Sequence, residues 1–186
     1  INEILDISKI ESGKMELVDV NYSFENMIHE IRSMMGAQAG KAGLALVIET
    51  EPGIPKWLYG DRVKLQEILT NLISNGIKYT KAGSVTLRIH MCERTQEHVM
   101  LHIEVEDTGI GIEQKNYPLV FGKFEQFDNK KNYQVEGSGL GLSIVKSFVE
   151  MMEGHITFES EYGRGTKFIA DIWQGIGHKE KADDKN

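Results

Sequence analysis

Asn71-Leu72-Ile73-Ser74-Asn75-Gly76-Ile77-Lys78-Tyr79 sits inside a run, Asp61 to Thr80, in which Leu65, Ile68, Leu69, Leu72, Ile73 and Ile77 recur at helical spacing. That period predicts one amphipathic helix with a buried apolar stripe. Asn71, Asn75 and Lys78 stand at i, i+4 and i+7 on the opposite face, with Glu67 one turn earlier. Taken alone, such a face is equally well a solvated surface. Two glycine-rich segments later in the chain decide between the two readings.

Asp107-Thr108-Gly109-Ile110-Gly111 comes directly after an alternating strand whose Val99, Leu101, Ile103 and Val105 share one face. An acid at a strand end, followed by glycines that let a ligand approach the backbone, suits recognition of a flat polar ring. A carboxylate only accepts hydrogen bonds, so Asp107 selects a ring with an amino donor, such as adenine. Asp-Thr-Gly is also a common turn sequence with an Asx-type cap. Further on, Gly137-Ser138-Gly139-Leu140-Gly141 opens a helix expected to run to about Glu153, with Leu142, Val145, Phe148, Val149 and Met152 inward and Gly154 as its stop. Glycines at a helix start offer backbone N–H groups and the positive end of the dipole to an anion, which suits phosphate. Gly-Lys-Ser/Thr does not follow, and no βαβ unit surrounds the segment, so a P-loop and a dinucleotide fold are both set aside.

Asn-x-x-x-Asn, Asp-x-Gly-x-Gly, Gly-x-Gly-Leu-Gly and Gly163-Arg164-Gly165-Thr166 succeed one another in that order. From about Ser8 to Trp173 the chain resembles the catalytic ATP-binding domain of bacterial sensor histidine kinases, in the superfamily that also holds gyrase, the heat-shock chaperone ATPases and the mismatch-repair ATPases. Asn71 to Tyr79 resembles the asparagine box, Asp107 to Ile112 the first glycine box, Phe121 to Phe127 the phenylalanine box, and Gly137 to Lys146 the second glycine box. The resemblance implies Mg²⁺ and ATP as cofactors. Asn75 would hold the metal, and Asn71 and Lys78 would act at the reacting phosphate. Tyr79, Asp107, Gly109, Gly111, Gly137, Gly139, Leu140, Gly141 and Thr166 would join Asn75 and Lys78 around the nucleotide. Mg²⁺ prefers hard oxygen ligands, and an Asn carbonyl supplies one without adding negative charge beside the phosphates. In the hydrolytic branches of the superfamily a water-activating glutamate stands where Asn71 stands. An amide is no general base near neutral pH, so the chain suits phosphoryl transfer better than hydrolysis.

The roughly 25 residues between the glycine boxes are long for a connection and are expected to form a lid. Phe121, Phe124 and Phe127 would dock it, and Lys123, Lys130 and Lys131 are candidate phosphate neighbours with solvated surface as the alternative. Gln126 stands where many relatives carry an arginine. The phosphate acceptor in the resembled family is a histidine on a separate dimerisation domain. His29-Glu30-Ile31-Arg32 has a similar start, but Ser33-Met34 comes next in place of Thr-Pro, and Phe24, Met27, Ile28, Ile31, Met34 and Met35 make the segment an ordinary amphipathic helix. His29 is expected on the surface. Asn2 to Ile10 reads as a helix, and Asp6 to Lys14 resembles the end of the second dimerisation helix, so the acceptor is expected upstream of this fragment. Residues 1–13 are thus assigned to that helix, 14–174 to the catalytic domain, and 175–186 to a polar tail or linker. The implied partners are the dimerisation domain of the same parent, as a dimer, and a response regulator receiver domain. The domain is expected to be cytoplasmic, with a parent that carries or lacks a membrane anchor.

With 186 residues and 40% apolar content the chain holds one substantial core. A net charge of -7 offers no basic footprint for nucleic acid. The single Cys92 permits no internal disulfide, and no run near 18 apolar residues is present. Neither the histidines nor the cysteine has a zinc-like spacing. Alternation at Val85 to Met91, Ile156 and Phe158, and Phe168 to Ile172, with Leu44 to Ile48, adds strands joined by turns at Cys92 to Glu97 and Glu161 to Gly165. The expected fold is α+β: a two-layer α/β sandwich, its mixed sheet of about five strands covered on one face by three helices. Gly76 stands where relatives usually have alanine, which points to close packing. A fold-retaining interaction module without ATP chemistry is the competing reading.

Overall fold

The structure is a computed structural model and describes residues 2–123 and 139–179. In chain order its elements are α1 (Asn2–Glu11), β1 (Val20–Ser23), α2 (Phe24–Lys41), β2 (Ala45–Thr50), β3 (Trp57–Gly60), α3 (Arg62–Tyr79), β4 (Ser84–Arg94), β5 (His98–Asp107), α4 (Gly141–Met151), β6 (His155–Glu161) and β7 (Gly165–Ile176), with a 3₁₀ turn at Gln114–Leu119 before α4. The expected two-layer sandwich is present. Its sheet runs β1-β3-β7-β5-β4-β2, with β6 pairing along β7. β2 and β4 are parallel and the other pairs antiparallel, so the sheet is mixed.

Seven strands replace the five expected. The two additions, β1 and β3, are four residues each, too short for a period-2 pattern to stand out from loop sequence. They pair with each other and reach the sheet through Leu58 and Tyr59 of β3 against Ile176 and Gly175 of β7. β7 therefore continues through Gly175 and Ile176, where a polar tail was expected to have begun.

One face of the sheet carries the core. Val85, Leu87 and Ile89 of β4, Val99, Leu101, Ile103 and Val105 of β5, and Phe168, Ala170 and Ile172 of β7 are buried. α2, α3 and α4 lie side by side over them. On α3 every expected stripe residue is buried, which is what a 3.6-residue period dictates once the helix lies on a sheet. α2 behaves likewise, except that Met34 is exposed, as is His29. The Cβ that Gly76 lacks would stand 3.0 Å from a Val85 methyl, so the glycine lets the middle of α3 approach β4 closely. α4 ends about two residues earlier than expected, with Glu153 rather than Gly154 taking the left-handed cap position at φ 57°. α1 packs against α4 and buries Ile7. No helix among the described residues is long and apolar enough to cross a membrane.

Candidate functional site

α3 starts at a firmly built cap. Asp61 is buried, and its carboxylate accepts the Lys64 N–H at 3.0 Å, the Val18 N–H at 2.8 Å and the Lys64 ammonium at 2.8 Å. Burial pushes this carboxyl up, but those three hydrogen bonds outweigh burial and hold it below the usual carboxylate range. The chain entering from α1 is thereby fixed to the start of the asparagine helix. Along the polar face of α3, Asn71 donates its amide to the Glu67 carbonyl at 3.0 Å. Its Oδ1 points the other way, so close to the first residue of α4 that a Cβ on Gly141 would stand 3.2 Å from it. Asn75, one turn on, is half-buried and its carboxamide makes no hydrogen bond among the described residues. Lys78 places its ammonium 5.3 Å from the centre of the Tyr79 ring. Burial lowers the Lys78 ammonium from its ordinary value and raises the Tyr79 phenol. Glu67 is pushed up by burial and by the carboxylates of Asp6 and Glu3 on α1, with Lys64 opposing.

Asp107 ends β5 under the last turn of α3 and is 9% exposed. Its Oδ1 accepts the Gly109 N–H at 2.9 Å and the Thr166 N–H at 3.3 Å. Oδ2 takes no hydrogen bond among the described residues, and no cation there compensates the carboxylate. Burial accordingly raises this carboxyl, against the two backbone donors. Thr80 lies alongside, its Oγ1 buried with no partner among the described residues. A buried polar atom left unmade is costly, so an orphan hydroxyl beside a half-used carboxylate marks a place built to meet polar groups from outside the protein. Sequence reasoning missed Thr80. The signal was its position, directly after Tyr79.

Gly109 and Gly111 are required by the protein's own packing. A Cβ on Gly109 would strike the Tyr79 carbonyl at 2.4 Å, and one on Gly111, at φ 68°, would strike the Glu161 carbonyl at 2.2 Å. The protein's own backbone fills both spaces. The loop is clamped between the end of α3 and the β6–β7 turn: Ile110 N–H donates to Tyr79 O at 3.1 Å and Gly163 N–H to Ile110 O at 2.6 Å. Ser160, also missed from sequence, ties the clamp together. Its hydroxyl accepts the Ile112 N–H at 2.8 Å and lies 2.9 Å from the Thr166 hydroxyl. Thr166 thus supports Asp107 through its N–H and the clamp through its side chain.

α4 opens at Gly141 after Leu140, which is fully buried, with no side-chain cap on its first N–H groups among the described residues. N–H groups at a helix start lack intrahelical partners and meet the positive end of the dipole, so the start of α4, beside Asn71, suits an anion. Gly139 precedes it in the left-handed region, at φ 72°. Gly137 lies outside the described residues, as do Phe124, Gln126, Phe127, Lys130 and Lys131 of the expected lid. Of the lid's described part, Phe121 docks edge-on against Phe158 and Phe168 at 5.9 and 6.2 Å between ring centres. Lys123 forms an ion pair with Glu11 of α1.

The residues fit a nucleotide with its metal. A half-used buried carboxylate and an orphan hydroxyl lie at the end of α3, a carboxamide without a partner among the described residues sits about one turn back along it, and Asn71 a further turn back meets the start of α4. A mixed sheet carrying three helices, with these groups gathered where the middle helix meets α4, has the architecture of an ATP-binding α/β sandwich. Residues 60–175 match the family described as "Histidine kinase-, DNA gyrase B-, and HSP90-like ATPase", and the chain belongs to that family. It is 37% identical over all 186 residues to the sensor protein GacS of Pseudomonas syringae pv. syringae, covering 20% of that protein. It is 32% identical over 168 residues, 90% of the chain, to the signal transduction histidine-protein kinase BarA of Escherichia coli K12, covering 18% of it. The chain thus spans about a fifth of the length of these relatives. Among solved structures, full-length ShkA in complex with AMPPNP superposes with a TM-score of 0.79 at 24% identity, over 96% of this chain and 36% of that one. The catalytic domain of the histidine kinase ThkA superposes at 0.62 and 21% identity, over 85% of this chain and 95% of that one.

Proposed function

We propose that the chain binds Mg-ATP and transfers the γ-phosphoryl group to a histidine on a dimerisation domain outside residues 1–186, in two-component signal transduction. The observation that carries the reading is the juxtaposition of Asn71 Oδ1 with Gly141 at the start of α4, with the Asn75 carboxamide one turn along α3 left without a partner among the described residues. It brings the asparagine helix and the end of the second glycine segment together.

In this reading Asp107 Oδ2 accepts the amino group of adenine, while Oδ1 stays on Gly109 and Thr166 and keeps the carboxylate aimed. Gly109 and Gly111 hold the loop that carries it. Tyr79 flanks the base, and Thr80 meets its polar edge. The N–H groups from Gly137 through Gly139, Leu140 and Gly141 cradle the phosphates at the start of α4. Asn75 holds Mg²⁺ through its carbonyl oxygen, and the ion, when bound, neutralises triphosphate charge. Lys78, partly desolvated, adds positive charge there. Asn71 orients the start of α4 and supplies no general base, so water is a poor acceptor. A neutral imidazole brings its own lone pair. Its nitrogen forms the new bond to phosphorus as the bond to the ADP oxygen breaks, and positioning with charge stabilisation supplies most of the catalysis.

Residues 1–13 are proposed as the end of a dimerisation helix and 14–174 as the catalytic domain, with the polar stretch beyond β7 as a tail or linker. The partners in this reading are the histidine-bearing domain of the same parent, as a dimer, and a receiver domain, on the cytoplasmic side. Names such as sensor protein GacS and BarA, at 37% and 32% identity, support it. Calorimetric titration of the chain with a non-hydrolysable ATP analogue, with and without Mg²⁺, tests the first half. Saturable binding strengthened by Mg²⁺ is expected, and then acid-labile labelling of a supplied histidine-bearing domain from radiolabelled ATP. A folded chain that binds no nucleotide would leave an interaction module instead.

A further inference from the structure

Among the described residues the Thr80 hydroxyl is the only buried side-chain oxygen or nitrogen without a hydrogen bond. Thr80 closes α3: its backbone turns to an extended conformation, and its N–H donates back to the Ile77 carbonyl at 3.4 Å. The side chain is thereby set against Gly109. The Cβ that Gly109 lacks would stand 2.8 Å from Thr80 Oγ1 and 2.8 Å from Asp107 Oδ1. The hydroxyl and the carboxylate border the same small space across one glycine, yet no hydrogen bond joins them.

A threonine hydroxyl has one proton to give, and an ionised carboxylate can only accept. Two acceptors border the space. The Tyr79 carbonyl already takes the Ile110 N–H at 3.1 Å, whereas Asp107 holds lone pairs that the protein leaves unused. Thr166 also lies beside Asp107, but its hydroxyl is engaged with Ser160 at 2.9 Å. The charges around Asp107 offer it no help. Glu106 on its own strand raises it further; Lys78 and Tyr79 are the titratable groups at the end of α3, and Lys167 on β7 is committed to Glu104 and Glu159. A hydrogen bond to an ionised group is among the stronger ones, so a donor held in reserve here has a large effect.

We propose that Thr80 is a positioning residue for Asp107: when the carboxylate takes the amino group of the base, the Thr80 hydroxyl turns onto it as a third donor and keeps it ionised and aimed. The lone pairs of the hydroxyl stay available to the base. The inference rests on the nucleotide reading above and adds to it a residue that acts through Asp107.

Calorimetry with a non-hydrolysable ATP analogue, from neutral pH into acid, compares the parent chain with Thr80→Val and Thr80→Ala. Both should bind about tenfold more weakly at neutral pH and lose binding in acid about one pH unit earlier than the parent. Thr80→Ser keeps the hydroxyl and should return the acid midpoint to that of the parent. The triphosphate of purine riboside lacks the 6-amino group, so its affinity should be the same in the parent and in Thr80→Val. A packing role alone would weaken both ligands equally and leave the acid midpoint in place, which would overturn the proposal. Circular dichroism checks the fold, and Thr80→Ala carries the test if the valine methyl group crowds the Tyr79 carbonyl. Binding lost in Asp107→Ala but unchanged in folded Thr80→Val and Thr80→Ala would remove Thr80 and leave the nucleotide reading standing; a parent chain that binds no nucleotide would remove both.

Discussion

Asp61 at the start of α3 and Asp107 at the end of β5 are both buried carboxylates, 3% and 9% exposed, and each accepts two backbone N–H groups. Only Asp61 also has a cation, the Lys64 ammonium at 2.8 Å. At Asp61 the hydrogen bonds, including that of the Lys64 ammonium, outweigh burial and hold the carboxyl below the usual range, whereas at Asp107 burial outweighs the two backbone donors and raises it. A buried carboxylate whose charge and lone pairs are fully met is part of the architecture. One held by two donors, with a free second oxygen and no cation among the described residues, keeps acceptor capacity that the protein itself does not use. The two helix starts repeat the lesson: α3 is capped by Asp61, and α4 has no side-chain cap among the described residues.

Asp107→Ala gives the largest expected effect. Nucleotide affinity should fall roughly a hundredfold, on the order of 3 kcal/mol for a charge-assisted hydrogen bond, while Asp61→Asn changes affinity by less than about twofold. Calorimetry on both variants reads it; equal losses would erase the distinction between the two aspartates. In urea unfolding the order reverses, with Asp61→Asn expected to cost about 1–3 kcal/mol through the lost cap and its ion pair.

The pH dependence sharpens the same contrast. The folded-state carboxyl of Asp61 is depressed, so its stabilisation is present above the unfolded value near pH 4 and fades as pH falls through the lower folded value. The stability gap between the parent chain and Asp61→Asn should therefore close in acid and stay open at neutrality. Asp107 is raised, so it protonates at a higher pH than an ordinary carboxylate, and nucleotide affinity should weaken while Asp61 is still ionised. Affinity that holds constant down to about pH 4, the ordinary carboxylate value, would remove Asp107 from base recognition.

Asn75→Ala should abolish the strengthening by Mg²⁺, by about tenfold, and leave metal-free affinity intact. The smallest effect belongs to Gly76→Ala. A helix gain of about 1 kcal/mol meets a Val85 methyl 3.0 Å from the new Cβ, so the net change in stability should stay within about 1 kcal/mol of zero.

α3 was legible almost to the residue, because Asp61 is a strong cap and six apolar residues keep one period along the helix. β4, β5 and β7 were legible from alternation. β1 and β3 were not, since four residues each carry too little pattern and become strands only by pairing with distant chain. Gly109 and Gly111 were picked out by their residue type and given a different reason. They make room for the Tyr79 and Glu161 carbonyls, a contact between segments about 30 and 50 residues apart that no local reading contains.

What the sequence determined by itself is whatever depends on period, residue chemistry and order: the helices, the longer strands, the two-layer arrangement, the family likeness and the candidate residues. What only the tertiary structure decided is which partner each polar group obtained. Asp61 and Asp107 are the same side chain, and each has a local partner, Lys64 and Gly109; only the fold adds Val18 to one and Thr166 to the other. The orphan hydroxyl of Thr80 arises the same way. Burial and strand register are set by packing across the whole chain, and they fix where an unmet acceptor remains.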